Sequence, residues 1–144
     1  FDLNSQILFK GENILSIRFD NYTYFAGAAH GLTVASTMNF DLSTGKQLEL
    51  KDIFIDESYL KTISEFCIED LKKQLKADEY EPDVEWIEAG AGPDLINYQV
   101  FAFLERELLI VFNQYQVAPY VFGLLEVSIP YENFGDKINS ENLK

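Results

Sequence analysis

Apolar and polar residues alternate along the first part of the chain with the period-two rhythm of β-strands. Leu15, Ile17 and Phe19 alternate with Ser16, Arg18 and Asp20, predicting a strand with one apolar and one wet face. Gly11-Glu12-Asn13 turns the chain into it from an earlier strand around 7–9. After Asp20 the aromatic phase changes, and Tyr22 and Tyr24 share the side that carried Arg18. Either a bulge re-aims them or they cover the opposite face. Beyond Ala26-Gly27-Ala28-Ala29-His30-Gly31 alternation resumes, with Val34, Met38, Phe40 and Leu42 set against Thr33, Thr37, Asn39 and Asp41. Ser43-Thr44-Gly45-Lys46 predicts a tight turn, Gly45 tolerating positive φ, and Leu48 and Leu50 are expected on the returning strand.

The period then changes. Leu60, Ile63, Cys67, Leu71 and Leu75 recur at three- and four-residue steps, an apolar stripe on a helix capped by Asp56 or Ser58 and running to about Lys76. Lys72, Lys73 and Lys76 complement the dipole of its last turns. From 78 to 94 seven acids (Asp78, Glu79, Glu81, Asp83, Glu85, Glu88, Asp94) occur without Lys or Arg, and Gly90, Gly92 and two prolines interrupt them. A long acidic loop pinned by Trp86 is expected there.

Segments 98–104 and 108–112 flank Glu105-Arg106-Glu107 as a hairpin apolar on both faces, the mark of central strands. An irregular stretch with Pro119 and Gly123 follows over 115–123. Leu125, Val127 and Ile129 form a last strand stopped by Pro130, and the polar tail 133–144 is expected to fray. The fold class expected is α+β: one domain over 1–144, a mostly antiparallel sheet with one long amphipathic helix packed on one face.

Composition narrows the function. The chain of 144 residues carries 24 acidic and 11 basic side chains, a net charge of −13, and is 47% hydrophobic. That is far too apolar for disorder, and its charge suits a cationic partner rather than nucleic acid or an anionic membrane surface. One Cys excludes an intrachain disulfide, and one Cys with one His cannot furnish a four-ligand zinc site. No segment approaches the roughly 20 apolar residues needed to span a bilayer.

No catalytic signature emerges. His30 is the one imidazole and is read as a general base, a ligand contact or a residue locking its loop. Cys67 falls on the helical stripe, so its thiol is expected buried and inert. No G-x-S-x-G elbow or phosphate loop is present, and the acidic stretch lacks the spacing of a calcium loop. Tyr115-Gln116-Val117-Ala118-Pro119-Tyr120 is a stiff, tyrosine-rich loop suited to recognition, unless both rings pack inward.

Several segments together resemble a known family. Ala26-Gly27-Ala28-Ala29-His30-Gly31, the run from Asn39 to Phe54 with its Thr-Gly-Lys turn, the run from Phe112 to Tyr120 ending in Ala-Pro-Tyr, and Val127-Ser128-Ile129-Pro130-Tyr131 are similar to a bacterial family of unknown-function domains. These domains lie at the C-terminal end of extracytoplasmic proteins, among them a lysozyme-sensing anti-sigma factor and some peptidoglycan deacetylases. The resemblance implies an extracytoplasmic, non-enzymatic recognition domain without metal or cofactor. Residues 1–24 then end a longer N-terminal portion. His30, Gly31, Tyr115, Pro119 and Tyr120 are the implied binding residues. Their partner is a protein, lysozyme-like and cationic in the best-understood branch. The alternative is a cell-wall glycan held by an accessory domain of an envelope enzyme. Neither nucleic acid nor direct membrane contact is expected, and a dimer through a sheet edge is an open alternative.

Overall fold

The computed structural model describes residues 1–143. Among them lie two three-stranded antiparallel sheets. The first contains β1 (Asp2–Lys10), β2 (Ile14–Thr23) and β3 (Leu32–Asp41) in that order. The second contains β4 (Phe101–Phe103), β5 (Glu107–Phe112) and β6 (Leu125–Pro130). Helices α1 (Tyr59–Ala77) and α2 (Val84–Ala91) join the strand groups. The α+β class and the long helix on a sheet face are as the periodicities predict.

The second sheet is the middle layer. Phe103, Leu108, Ile110, Phe112, Val127 and Ile129 on one face share a core with Ile63, Cys67, Leu71 and Leu75, the buried stripe of α1. On the other face Ala102, Leu109 and Val111 pack with Ala35 of β3 and Leu8 of β1. Strands apolar on both faces are therefore covered on both faces. Asp56 accepts the Ser58 N–H at 2.8 Å ahead of α1, while Ser58 occupies the N-cap position without a side-chain cap bond.

The first sheet reverses the expected wet face. Ile14 and Ser16 are buried and Arg18 nearly so, whereas Leu15, Ile17 and Phe19 are only half-buried on the outer side. β4 is an edge strand, so its outward backbone groups need partners, and polar side chains of β2 and β3 supply them. The Phe101 N–H donates to Thr37 Oγ1 at 3.0 Å, and Asn39 Nδ2 donates to the Phe101 carbonyl at 2.9 Å. The Phe103 N–H donates to Asn39 Oδ1 at 3.2 Å, and Ser16 Oγ lies 2.8 Å from the Phe103 carbonyl and 2.6 Å from Asn39 Oδ1. Arg18 bridges Asp20 and Glu126.

Other expectations are corrected too. The β2–β3 register runs unbroken from Ile14↔Asp41 to Thr23↔Leu32, so of the two alternatives for Tyr22 the second holds: with no bulge in that pair it covers the face opposite Leu15, Ile17 and Phe19. The register slip lies in β1 between Ile7 and Phe9, and Leu8 packs inward there. The turn at Gly45 forms, with φ +73° and the Asp41 N–H bonded to Lys46 O at 2.8 Å. Its returning strand shrinks to one bridge, Phe40↔Gln47, because Leu50 is drawn into the core by a 3₁₀ turn at Leu50–Ile53.

The acidic stretch contains α2 instead of being loop throughout. Asp83 caps it by accepting the Trp86 N–H at 3.1 Å, and Glu85 sits in the first turn, where a carboxylate favours the helix dipole. Ile87, Gly90 and Ala91 are buried while Glu85 and Glu88 face outward. The tail does not fray over its described part. Phe134 is buried in the main core, Ile138 bridges Phe54, and Leu143 packs on the core; Lys144 of the expected frayed segment lies outside the described residues. Three aromatic and aliphatic side chains in an otherwise polar tail suffice to hold it.

Candidate functional site

His30 and Tyr120 stack face to face, with ring centroids 3.9 Å apart and planes inclined by 24°. His30 belongs to the 24–31 connection between β2 and β3, and Tyr120 to the loop after β5. Tyr120 Oη donates to the Gly31 carbonyl at 2.7 Å, and His30 Nδ1 lies 3.1 Å from that same oxygen. Tyr115 Oη is 3.4 Å from His30 Nε2, and the Tyr115 and Tyr120 rings are 5.7 Å apart. Pro119 precedes the 3₁₀ turn Tyr120–Phe122 with φ −57°, fixing the approach of Tyr120. All five residues singled out in the sequence thus meet at one end of the first sheet.

The local sequence explains the geometry. Gly31 is buried, and a Cβ there would sit 2.3 Å from the Tyr22 ring, so only glycine lets the strand pass that ring in place. Gly27 takes φ +89°, turning the 24–31 loop, and Tyr24 Oη donates across it to Ala28 O at 3.1 Å. Tyr115 holds φ +68°, a strained region for a side-chain-bearing residue. Trp86 Nε1 donates to its carbonyl at 3.0 Å. Gln116 Nε2 donates to the carbonyls of Gly90 and Asn97 at 3.0 and 2.9 Å, and its Oε1 accepts the Asn113 N–H at 3.1 Å. α2 therefore clamps one side of the loop, and Trp86 proves to anchor it as well as its own segment.

The cluster presents rings and hydrogen-bonding groups, and among the described residues no charged side chain is paired with His30. The described contacts of His30 are the Gly31 carbonyl, the Tyr115 hydroxyl and the Tyr120 ring. Among the described residues no group of three or more His, Cys, Asp or Glu is placed to hold a metal ion. Burial pushes the Cys67 thiol far above its ordinary range, which keeps it an unreactive neutral group.

Sequence reasoning missed the neighbours that enlarge this surface. Tyr24, Phe25 and Val121 are exposed on the same two loops, and Tyr115 is half exposed. Their signal was aromatic and aliphatic residues flanking glycine and proline in loops, which alternation does not score. A separate cleft of about 410 Å³, lined by Leu48, Leu95, Ile96 and Phe101, shares no residue with the His30 cluster. Among the described residues no helix is long and apolar enough to cross a membrane.

Comparison with known proteins places this geometry. A DUF3298 family protein from Pseudomonas aeruginosa PAO1 has the same fold, with a TM-score of 0.73 at 21% identity over 98% of this chain and 62% of that one. A DUF3298 member from Bacteroides fragilis NCTC 9343 gives 0.68 at 27% identity over 95% of this chain and 53% of that one. In Bacillus subtilis strain 168, the peptidoglycan-N-acetylmuramic acid deacetylase PdaC is 30% identical over 129 residues, 89% of this chain and 27% of the deacetylase. The anti-sigma-V factor RsiV of that strain is 32% identical over 122 residues, 82% of this chain and 41% of the factor. The chain thus spans less than half the length of either curated relative. Residues 51–132 match the family described as Protein of unknown function (DUF3298), and over more than half its length the chain belongs to that family.

Proposed function

We propose that this chain is a non-enzymatic recognition domain of a bacterial envelope protein, working outside the cytoplasm and binding a cationic protein of the lysozyme kind. The carrying observation is the stack of His30 on Tyr120, which locks two loops from distant parts of the chain into one surface. A pre-locked aromatic surface binds with little ordering cost, because tyrosines bring area with few rotors. Its ligand contacts are His30, Tyr115, Pro119 and Tyr120, extended by Tyr24 and Phe25, with the buried Gly31 holding the loop beneath them through its carbonyl. The charge of −13 favours a basic partner and mainly speeds encounter. Likeness to an anti-sigma factor supports a protein ligand.

The test is binding to lysozyme at about 0.05 and 0.5 M salt, where the Debye length falls from roughly 14 to 4 Å. Binding that persists at high salt and is lost in a Tyr115→Ala/Tyr120→Ala double variant with an unchanged circular dichroism spectrum supports the reading. Binding confined to low salt, or indifferent to the double variant, refutes it.

Likeness to a peptidoglycan deacetylase favours a second reading, a glycan-binding accessory domain using the exposed tyrosines of the same surface. Purified cell wall that retains the wild type but not the double variant, with no lysozyme binding, selects it.

A further inference from the structure

β3 lies at the edge of the first sheet, and the main-chain groups on its free side can be followed residue by residue. In an antiparallel strand every second residue turns its N–H and C=O away from the partner strand. On β3 these are the odd-numbered residues, because Ala35 meets Asn113 on the side away from β2 and the β2 register is unbroken. Gln114 takes the Thr33 N–H, and Asn113 takes both groups of Ala35. Further along, the Asn39 C=O accepts the Leu48 N–H at 2.7 Å, and the Asp41 N–H donates to the Lys46 C=O at 2.8 Å. Thr37 is the gap in this series. Its Oγ1 accepts the Phe101 N–H, and among the described residues its main-chain N–H and C=O have no partner.

The cleft of about 410 Å³ opens at this gap, with Thr37 in its wall beside Leu48, Leu95, Ile96 and Phe101. Leu95 and Ile96 are 48% and 68% exposed. They stand on the 3₁₀ turn Leu95–Tyr98, where Asp94 accepts the Ile96 N–H at 3.1 Å and Tyr98 is buried in the core. The turn is thus fixed at both ends while it holds two aliphatic side chains in water, apolar area that a bound group would cover.

We propose that this cleft binds a short extended peptide of a partner protein, which adds to β3 as a strand of about three residues. One peptide residue exchanges both main-chain hydrogen bonds with Thr37. Its side chain lies on the same face as that of Thr37, which points at β4, and so enters the cleft. An apolar side chain is required there, while those before and after it point to solvent. The volume suits one such side chain with the main chain around it. The free stretch from Ala35 to Asn39 spans only about 13 Å, with Asn113 closing one end and Leu48 the other. A second copy pairing through the nine residues of β1 does not fit that gap, and it would set −13 against −13. The same charge favours basic residues flanking the apolar one. The cleft shares no residue with the His30 cluster, so this inference stands apart from the function proposed above.

The test titrates the intact natural polypeptide into fluorescein-labelled, C-terminally amidated peptides Lys-Thr-X-Thr-Lys at about 0.15 M salt, with X as Leu, Ile, Phe or Gly. At least one apolar X is expected to bind about tenfold or more tightly than Gly, whose peptide carries the same charge. Methylating the main-chain nitrogen of X removes the N–H that the Thr37 carbonyl accepts, and is expected to weaken binding at least about tenfold. Ile96→Ser, at an exposed position, is expected to weaken it by a similar factor, with Leu95→Ser as the alternative variant should that one not fold. The Tyr115→Ala/Tyr120→Ala double variant is expected to bind as the wild type does, and hydrogen exchange at Thr37 to slow in the complex. Absence of binding by every peptide at about 1 mM overturns the proposal. So does equal binding of the Gly peptide, which means charge attraction alone. Equal binding of the methylated peptide overturns it as well, since the cleft then takes an apolar group without strand pairing. Unchanged affinity in the Ile96 or Leu95 variant, or loss in the tyrosine double variant, places the peptide elsewhere and has the same consequence.

Discussion

Asn113 closes the free edge of β3 with both ends of one amide: its Oδ1 accepts the Ala35 N–H at 2.7 Å and its Nδ2 donates to the Ala35 carbonyl at 3.2 Å. A side chain thereby does the work of a fourth strand, and Gln114 extends it by accepting the Thr33 N–H at 2.8 Å. The loop carrying Tyr115 and Tyr120 begins at this clamp. Asn113→Asp keeps the acceptor but turns the donor into a second acceptor facing a carbonyl. It is expected to cost about 1–3 kcal/mol in urea denaturation and to speed hydrogen exchange at Ala35. Unchanged exchange there would show that the clamp is incidental.

The buried pair Ser16 and Asn39 ties the two sheets together. Asn39→Ala leaves the Phe103 N–H and the Phe101 carbonyl without their side-chain partner in a site closed to water. A loss of about 3 kcal/mol is expected, against about 1 kcal/mol for Ser16→Ala, since Ser16 leaves only the Phe103 carbonyl without its side-chain partner while Asn39 Oδ1 keeps the Phe103 N–H. Equal losses for the two variants would argue against Asn39 as the hub.

Two glycines at the site separate a rigid wall from a movable one. A Cβ at Gly90 would lie 2.0 Å from the backbone oxygen of Gln116, whereas one at Gly31 would lie 2.3 Å from the far end of the Tyr22 side chain. Gly90→Ala is expected to destabilise by about 3 kcal/mol and push the loop carrying Tyr115 off α2. Gly31→Ala is expected to cost about 1 kcal/mol or less, with Tyr22 swinging toward solvent. Thermal melts of both variants decide it, and the reverse order would contradict this reading.

Tyr120 contributes its ring and its hydroxyl separately. Tyr120→Phe keeps the stack on His30 and loses the bond to Gly31 O, a change of about 0.5–1.5 kcal/mol. Tyr120→Ala loses both and frees the loops from each other. Chemical shifts of His30 are expected to move slightly in the first variant and to approach those of an unstructured histidine in the second.

Alkaline pH should weaken the fold in a defined window. Burial raises the Tyr98, Tyr131 and Cys67 groups well above their ordinary values of 10.0 for tyrosine and 9.0 for cysteine. In the native state they stay protonated, while the unfolded chain releases those protons from about pH 9 upward. Their stabilisation is therefore complete below pH 9 and is lost as pH rises, at about 1.4 kcal/mol per pH unit for each group ionised only when unfolded. Urea midpoints at pH 8, 9.5 and 11 test the slope. Tyr98→Phe is expected to flatten it while folding normally, because Ser64 Oγ also donates to the Ala91 carbonyl that Tyr98 binds.

Local structure was legible wherever one periodicity held long enough to count. The stripe Ile63, Cys67, Leu71 and Leu75 defined α1, and alternation located β2, β3 and β6, because those spacings follow from backbone geometry alone. The doubly apolar 108–112 segment announced the middle layer. The eight residues of α2 carry too weak a period to be legible, since acids and glycines mask a short stripe of Ile87 and Ala91. The polar tail hides its order for a similar reason: Phe134 alone buries enough surface to hold it.

By itself, then, the sequence determined which residues share a face, which segment is helical, and that His30 and the Tyr115–Tyr120 loop stand out from a plain scaffold. Only the tertiary structure decided which face looks inward and which loops meet. Alternation is symmetric between the two sides of a strand, so the reversal of the first sheet depended on the unpaired backbone of β4, more than 60 residues away from Asn39. The meeting of His30 with Tyr120 likewise depended on a β3 edge clamped by Asn113, a contact between segments 78 residues apart. Long-range hydrogen bonding of edge strands leaves no local period in a sequence, and in this protein it sets both the orientation of the first sheet and the shape of the site.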